Sequence, residues 1–292
     1  MIETRYFHYF LAIAREQNIT RAAESLHISQ PTLSKQMMDL EGLLGCQLFI
    51  RSKKRIELTE EGMFFRARAQ EMIELMDKTE NTLKNDNKHI TGDIYLGCGE
   101  THIIGFITEV YKKLLKNHPS IRLNLFSGDA DSIMERLDKG LVDFGLLLSP
   151  KILNKYEYIP LNKNDVVGLL MKKDSPLAKQ KSIPMDELYN LPLIISRQTW
   201  NGQHPIDWKG LNYKKLNIVS TYNLINNATF LVEQGIGYAF CIDKLVYESN
   251  ARNLTFRPIE PTILMEIYFV SKKYQTFSPA AKLFLNAIKQ EI

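Results

Sequence analysis

The sequence has too few cysteines, wrongly spaced, for disulfide chemistry to shape it. Its 292 residues hold three, Cys46, Cys98 and Cys241, an odd count, far apart and without a CxxC pair. That argues against a disulfide framework or a zinc finger and suits a reducing compartment. Long apolar runs are missing too, since none approaches the ~18 residues that a membrane span needs. Glu3, Arg5 and His8 stand where a signal sequence would need an unbroken apolar core. The expectation is a soluble, cytoplasmic protein with no membrane partner. No charge sign dominates either: 37 basic against 33 acidic residues leave +4, which says nothing of nucleic acid unless the cations cluster. Catalytic signatures are absent: there is no GxSxG, GxxxxGK[ST] or HExxH, and no GxGxxG after a strand. Acidic pairs such as Asp129/Asp131 have no neighbour in sequence to tune them. Neither catalytic nor metal-binding residues are expected, and neither is a cofactor.

What the sequence does hold is concentrated between Thr20 and Gly62, in a chain of ordinary globular composition (45 % hydrophobic, 24 % charged). Before that stretch, Phe7, Phe10, Leu11 and Ala14 recur at helical spacing and give a first amphipathic helix over about Glu3 to Glu16. Thr20 is placed to cap a second helix ending near Leu26, and the small pair Ala22–Ala23 lets another helix cross it closely. After the turn His27–Ile28, Ser29 can cap a third helix with Pro31 in its first turn. Leu33, Met37, Leu40 and Leu44 form one buried stripe, and Gly45 closes the helix as a left-handed cap. Pro31 and Lys35 then lie opposite the stripe, with Gln30 and Ser34 on its flank. Leu48–Phe49 and Ile56/Leu58 bracket the basic run Arg51-Ser52-Lys53-Lys54-Arg55, as the two strands of a small wing would.

This pattern points to double-stranded DNA. Glutamine suits adenine and lysine suits guanine at base edges. Backbone N–H groups at a helix start can take phosphate, and the wing cations would neutralise further phosphates and make binding salt-sensitive. The candidate DNA-binding residues are Thr20, Arg21, Ser29, Gln30, Pro31, Thr32, Ser34 and Lys35, with Arg51, Lys53, Lys54 and Arg55 in the wing. A generic three-helix bundle with a solvated polar face is the plainer alternative.

From Thr59 to about Leu83 the chain reads as one long helix. Phe65, Ala69, Met72, Met76, Thr79 and Leu83 repeat by four and three, the seam of a coiled coil. Such a seam would be buried by a second copy, giving a homodimer or homotetramer that presents two readers to two half-sites. Packing of this helix on the chain's own C-terminal part is the alternative. The polar stretch Lys84–His89 reads as a hinge. Beyond Thr91, strands alternate with helices, as in a parallel α/β sheet. The strands expected are Ile94–Cys98, Ile121–Phe126, Val142–Leu148, Val166–Met171, Leu193–Ser196, Asn217–Thr221, Ile236–Cys241 and Ile263–Ser271.

Two such lobes make a cleft, with ligands at the carboxyl ends of strands near helix starts. The candidates there are Glu100, Thr101, His102, Ser127, Asp129, Ser149, Ser196, Arg197, Gln198 and Asn223. Arg197 is the residue best suited to clamp a carboxylate or phosphate. Each of these, taken singly, also reads as a helix cap or turn former. The expected division is residues 1–58 as a winged helix-turn-helix, 59–89 as linker helix and hinge, and 90–292 as an effector-binding domain. Within the last, one lobe covers about 90–161 plus 268–292 and the other about 162–267.

With these residues in place, the chain resembles LysR-type transcriptional regulators over nearly its whole length. The resemblance rests on Ala22-Ala23-Glu24-x-Leu26-His27-x-Ser29-Gln30-Pro31-x-Leu33-Ser34-Lys35-Gln36. It continues through Leu40-Glu41, Leu44-Gly45, Leu48-Phe49, Arg51 and Leu58-Thr59-x-x-Gly62. Looser matches follow at Gly140-Leu-Val-Asp143-Phe-Gly and Val232-x-x-Gly235-x-Gly237. The resemblance implies an N-terminal winged-helix DNA reader, a dimerising helix, and a two-lobed, periplasmic-binding-protein-like α/β domain holding a small-molecule inducer. It further implies a dimer or dimer of dimers that bends promoter DNA and relaxes the bend when the inducer binds. Gln30, Pro31, Ser34 and Lys35 would face the major groove and Arg51 with the wing the backbone or minor groove, with RNA polymerase a further expected partner. Lys35 stands where the family often has arginine, which exchanges a planar fork for a point charge. Glu100 stands where the family usually has a small polar residue. Pointing inward it would disfavour an anionic inducer unless Arg197 neutralised it, while Thr101 could still donate to the ligand. A transport-system binding protein, which the C-terminal half alone would suggest, needs a signal peptide and has no helix-turn-helix.

Overall fold

The computed structural model describes residues 2–51, 56–83, 90–150, 152–200, 212, 215–245 and 253–292. Lys53, Lys54 and Arg55 and the hinge 84–89 lie outside the described residues, as does the side chain of Arg51. The chain divides into two compact units, Met1–Lys84 and Asn85–Ile292.

The first unit runs α1 (Thr4–Glu16), α2 (Ile19–Ser25), α3 (Gln30–Leu44), β1 (Phe49–Arg51), β2 (Ile56–Leu58) and α4 (Glu60–Leu83). Asn18, not Thr20, caps α2: its side chain accepts the Arg21 N–H at 3.1 Å. The helix thus begins one residue before Thr20, which is exposed. Ala22 and Ala23 are buried, with Phe10, Ile13, Leu33, Met37 and Leu40 in the same core. Gly45 ends α3 with φ 70°.

Several residues of the N-terminal pattern hold the wing to α3. Glu41 Oε1 accepts the N–H groups of Leu48 and Phe49 at 2.8 and 3.2 Å. The Thr59 hydroxyl donates to the Gln47 carbonyl at 2.8 Å and accepts the Gly62 N–H at 2.9 Å. A Cβ on Gly62 would lie 2.1 Å from the Leu48 carbonyl oxygen, so only glycine lets α4 leave the wing this closely.

The seam expected on α4 is corrected by its own domain. Phe65 packs on Phe7 and Phe10, with ring centroids 5.7 and 4.8 Å apart, while Ala69 and Ile73 are buried in the N-terminal core. The Thr4 hydroxyl meets Met76 Sδ at 3.8 Å. Phe65, Ala69 and Met76 of that seam are therefore covered within the same unit, while Met72, Thr79 and Leu83 are not. The large apolar side chains of α4 left exposed are Met63, Phe64, Met72, Leu75 and Leu83, of which the last four recur at roughly helical spacing, and Thr79 is exposed beside them with its hydroxyl on the Leu75 carbonyl.

The second unit begins with β3 (Gly92–Cys98), α5 (Ile104–Asn117), β4 (Ile121–Ser127), α6 (Ala130–Asp138), β5 (Phe144–Leu148) and the long β6 (Tyr156–Lys172). It continues with β7 (Ile183–Pro184), β8 (Pro192–Ser196), α7 (Arg197–Trp200), β9 (Asn217–Tyr222), α8 (Ile225–Glu233) and β10 (Tyr238–Ile242). The unit ends on β11 (Leu254–Glu260), β12 (Leu264–Lys272) and α9 (Pro279–Gln290). The sheet order is β4-β3-β5-β12-β6-β10-β8-β9, with β11 joining β6 to β7.

Pairings among β4, β3 and β5, and among β10, β8 and β9, are parallel. Those of β12 with β5 and β6, and of β6 with β10 and β11, are antiparallel. The sheet is thus mixed rather than parallel, and the strand expected at Val166–Met171 is the second half of one running from Tyr156. One apolar core lies at the β3–β5 end, where Phe144 packs against Phe269 and Phe277 at 4.8 and 5.0 Å. Another lies at the β8–β10 end around Leu169, Leu193, Phe240 and Ile259. These are two lobes of one sheet, joined by β6 and β12.

The looser sequence matches serve these joints. Asp143 exchanges two bonds with Tyr95, its carboxylate taking the N–H at 2.9 Å and its own N–H reaching the carbonyl at 2.8 Å. Gly235 follows α8 with φ 72°, and a Cβ on Gly237 would lie 2.5 Å from the Pro192 carbonyl oxygen.

Gly62→Ala tests the contact between wing and α4. Overpacking of this kind costs about 1–3 kcal/mol, so the first unit should unfold at lower urea. An unchanged midpoint would contradict the 2.1 Å approach.

Candidate functional site

The start of α3 is an exposed polar surface on a rigid core. Ser29 Oγ accepts the Thr32 N–H at 3.3 Å and meets Thr32 Oγ1 at 2.7 Å, which fixes the first turn. Gln30, Pro31, Thr32 and Lys35 are exposed and Ser34 is half-buried, because Leu33, Met37 and Leu40 turn the opposite face inward. Arg21 is exposed on α2, but its Nη2 already donates to the Glu16 carbonyl at 3.1 Å. The surface therefore offers an amide, hydroxyls and one ammonium beside a helix N-terminus, the donor set that meets base edges and phosphate.

In the second unit a cavity of about 110 Å³ lies between the lobes. Cavities of ~150 Å³ hold a benzene ring, so this one suits a molecule of about that size. Its walls are largely apolar, with Leu147, Leu148, Val167, Phe240, Ile242 and Met265 among them. Two carboxylates stand in the lining, and each reaches from one lobe to the other. Glu100, after β3, accepts the Ile225 N–H at the start of α8 through Oε2 at 2.5 Å. Burial pushes the Glu100 carboxyl above its ordinary value, opposed but not cancelled by the N–H groups of Ile225 and Asn226. Asp129 caps α6 by accepting the N–H and hydroxyl of Ser132 at 3.1 and 2.5 Å. It also pairs with Arg197 Nη2 at 3.3 Å. Burial raises the Asp129 carboxyl, but the bonds from Ser132 and the Arg197 guanidinium outweigh it and leave the group below its ordinary value. Cys241, also in the lining, has its thiol pushed up to about 12 by burial, which keeps it from acting as a thiolate near neutral pH.

The two family models that match the chain cover both of these sites. "Bacterial regulatory helix-turn-helix protein, lysR family" matches residues 4–63 and "LysR substrate binding domain" matches residues 87–292. The chain belongs to the LysR family. It is a LysR-type transcriptional regulator, with a helix-turn-helix for DNA and a domain for a small-molecule effector. Among curated relatives it is similar to the Hca operon transcriptional activator HcaR of Escherichia coli, 27% identical over 100% of this chain and 98% of that one. It is also similar to a probable RuBisCO transcriptional regulator of Trieres chinensis, 28% identical over 95% and 93%. Among solved structures, full-length CbnR complexed with its target DNA superposes with a TM-score of 0.76 at 19% identity, over 100% of both chains. At that identity the likeness fixes the fold. No helix among the described residues is long and apolar enough to cross a membrane.

Of the ten residues expected at the effector site of this LysR-type regulator, Glu100, Asp129, Ser196, Gln198 and Asn223 line the cavity. The others do not, and each has a physical reason. Thr101 is buried away from the cavity, its hydroxyl donating to Asp165 Oδ2 at 2.6 Å and accepting the Ile103 N–H at 3.1 Å. His102 faces Asp165 instead. Ser127 is exposed at the end of β4, and Ser149 fastens β12 by accepting the Glu266 N–H at 3.1 Å. Arg197 neutralises Asp129 rather than Glu100, and lies outside the lining. Sequence reasoning missed Thr199, Tyr222, Phe240, Cys241 and Met265 in the wall. Tyr222 and Cys241 sit at or near the carboxyl ends of β9 and β10, the same signal that found Ser196 on β8.

His102, Asp165 and Asp243 come together where β6 passes between lobes, their ligand-type atoms within 4.8 Å of one another. Each is engaged by the protein. His102 Nδ1 lies 2.5 Å from Asp165 Oδ1, an ion pair when the imidazole is protonated, though off the axis of a hydrogen bond. Asp243 Oδ1 accepts the Val166 N–H at 2.8 Å. Burial holds the Asp165 carboxyl above its ordinary 3.8, with Asp243 adding to the rise while Thr101 and His102 oppose it.

The sign of the pH effect follows. Between 3.8 and its raised folded value, Asp165 keeps in the folded chain a proton that the unfolded chain has released. Stability from this group therefore falls as pH rises through that window. Asp165→Asn should flatten the stability profile there, by no more than the one-proton limit of about 1.4 kcal/mol per pH unit. Identical urea-unfolding profiles across that range would show that the carboxylate is not so burdened.

Proposed function

We propose that this regulator reads promoter DNA as a homodimer or dimer of dimers, and that a small effector in the inter-lobe cavity alters its DNA binding or bending. The single observation that carries this is the pairing, in one chain, of a polar helix start on a fixed core with a half-open cavity walled by two lobes. Residues 1–58 act as the reader, 59–89 as the linker and 90–292 as the effector domain. Gln30, Pro31, Ser34 and Lys35 meet the major groove, with Ser29, Thr32, Thr20 and Arg21 toward the backbone and the wing cations Arg51, Lys53, Lys54 and Arg55 on phosphate. Glu100, Asp129, Ser196, Gln198 and Asn223 form the effector site. The protein works in the cytoplasm, together with RNA polymerase, and acts by binding rather than catalysis. Dimerisation uses the face of α4 that α1 leaves open, so Phe64, Met72, Leu75 and Leu83 replace Phe65 and Ala69 in that role. The CbnR likeness supports the fold in which these parts stand, and CbnR is known in complex with its target DNA.

Lys35→Ala should weaken binding to a footprinted promoter by about tenfold or more, since a good base contact discriminates by about 1–3 kcal/mol. Binding to unrelated DNA should change far less, and equal losses on both would sink the base-contact role. Ser196→Phe, which fills the cavity, should leave effector-free promoter affinity intact and abolish the response to whichever metabolite stabilises the wild-type chain in a thermal-shift screen. Leu75→Asp should shift the protein to monomer in light scattering; a mutant that stays dimeric would refute the seam.

A further inference from the structure

Every charged group in the cavity wall is already answered by the protein itself. Glu100 occupies the N-terminus of α8, with Oε2 2.5 Å from the Ile225 N–H. A helix start of this kind is a ready site for an anion, and here the anion is a side chain from the opposite lobe. Asp129 is held by Ser132 and by Arg197. No lysine, arginine or histidine stands among the described lining residues. An incoming carboxylate or phosphate would therefore meet the Glu100 carboxylate, which has no cationic partner, a guanidinium already spent on Asp129, and a helix start already filled. In a wall this apolar, that repulsion is poorly screened.

The polar groups left over are neutral. The hydroxyls of Ser196 and Thr199 and the amide of Asn223 line the cavity and make no side-chain hydrogen bond among the described residues. Hydroxyl and amide groups both donate and accept. They match a ligand that carries a hydroxyl, carbonyl or amide on a small apolar body.

We infer that the effector of this regulator is a small uncharged molecule, and that Glu100 fills the anion position at α8 in place of a ligand carboxylate. The inference rests on the effector-site reading of this cavity and sharpens it to a chemical class. It makes Glu100 the residue that sets ligand charge. Where a small side chain stood at this position, the Ile225 and Asn226 N–H groups would be open to an anionic ligand.

Benzamide and benzoate test this, being nearly the same size and differing in charge. Each is titrated calorimetrically into the full-length wild-type chain, Glu100→Ser and Glu100→Gln. The wild type should take benzamide at least about tenfold better than benzoate, a difference of about 1.4 kcal/mol. Glu100→Ser should reverse the order, because the helix start is freed. Glu100→Gln keeps an acceptor for the Ile225 N–H and so guards against a folding failure; there the penalty on benzoate should shrink. Benzoate binding the wild type as well as benzamide would overturn the inference. So would a benzamide-to-benzoate ratio that is the same in all three proteins, including no binding of either. Ser196→Phe separates the two levels of the argument: binding that survives it would overturn the site itself, whereas the ratios judge the charge preference.

Discussion

The effector half depends on the pairing of β12 with β6. These strands run antiparallel from Leu264 opposite Val166 to Lys272 opposite Tyr156, and so carry the chain between lobes twice within one ladder. The register shifts between Glu266 and Tyr268, near the level at which β6 changes partners. Beyond it Val167–Leu170 pair with β10 and Gly168–Lys172 with β11. An irregularity of this kind bends and twists a strand locally, which lets one ladder serve two lobes with separate cores. The cavity exists because the lobes stand apart on either side of this crossing.

Around that crossing the chain answers three carboxylates in three ways. Asp129 is matched by a guanidinium and by a hydroxyl and N–H of its own helix cap, and its carboxyl falls below its ordinary value. Glu100 is matched by backbone dipoles alone, which do not fully offset burial. Asp165 is the most enclosed, and its neighbour Asp243 works against it. A buried charge is tolerable only when hydrogen-bonded and paired. The contrast shows why Arg197 could not serve as a general clamp: its charge holds Asp129, which in turn fixes the start of α6 at the cavity wall.

Local signals were readable wherever the cause was local. Ser29, Gly45 and the stripe of Leu33, Met37 and Leu40 follow from capping and helical period, and the structure has them as expected. The chemistry of Glu41, Thr59 and Gly62 was visible only as a pattern, because their partners are carbonyls and N–H groups of the wing. The heptad on α4 was real as a period, but sequence cannot say that α1 folds back over Phe65 and Ala69 and leaves Met72 and Leu83 open. The first half of β6, Tyr156–Asn164, was missed because it carries Pro160 and many polar residues, and its stability comes from pairing with β12. β11 was missed for the same reason, with Pro258 in a strand held by β6. The role of Glu100 was the least legible. Its partner lies 125 residues away, and a glutamate after a strand reads alone as a solvated turn.

That distance matters for how a ligand can act. A molecule in the cavity touches β5 and the start of α6 in one lobe, and β8, β10 and the start of α8 in the other. It therefore interacts with the separation of the lobes and not with either alone. A ligand shifts an equilibrium only by its difference in affinity for the two states, and a site walled by both lobes supplies that difference without any moving part of its own. Glu100 and Arg197 already draw the lobes together in the absence of a ligand. On the proposed reading, an effector here works against a chain that is partly closed by its own charges, so its leverage lies in the neutral and apolar contacts that those charges leave unused.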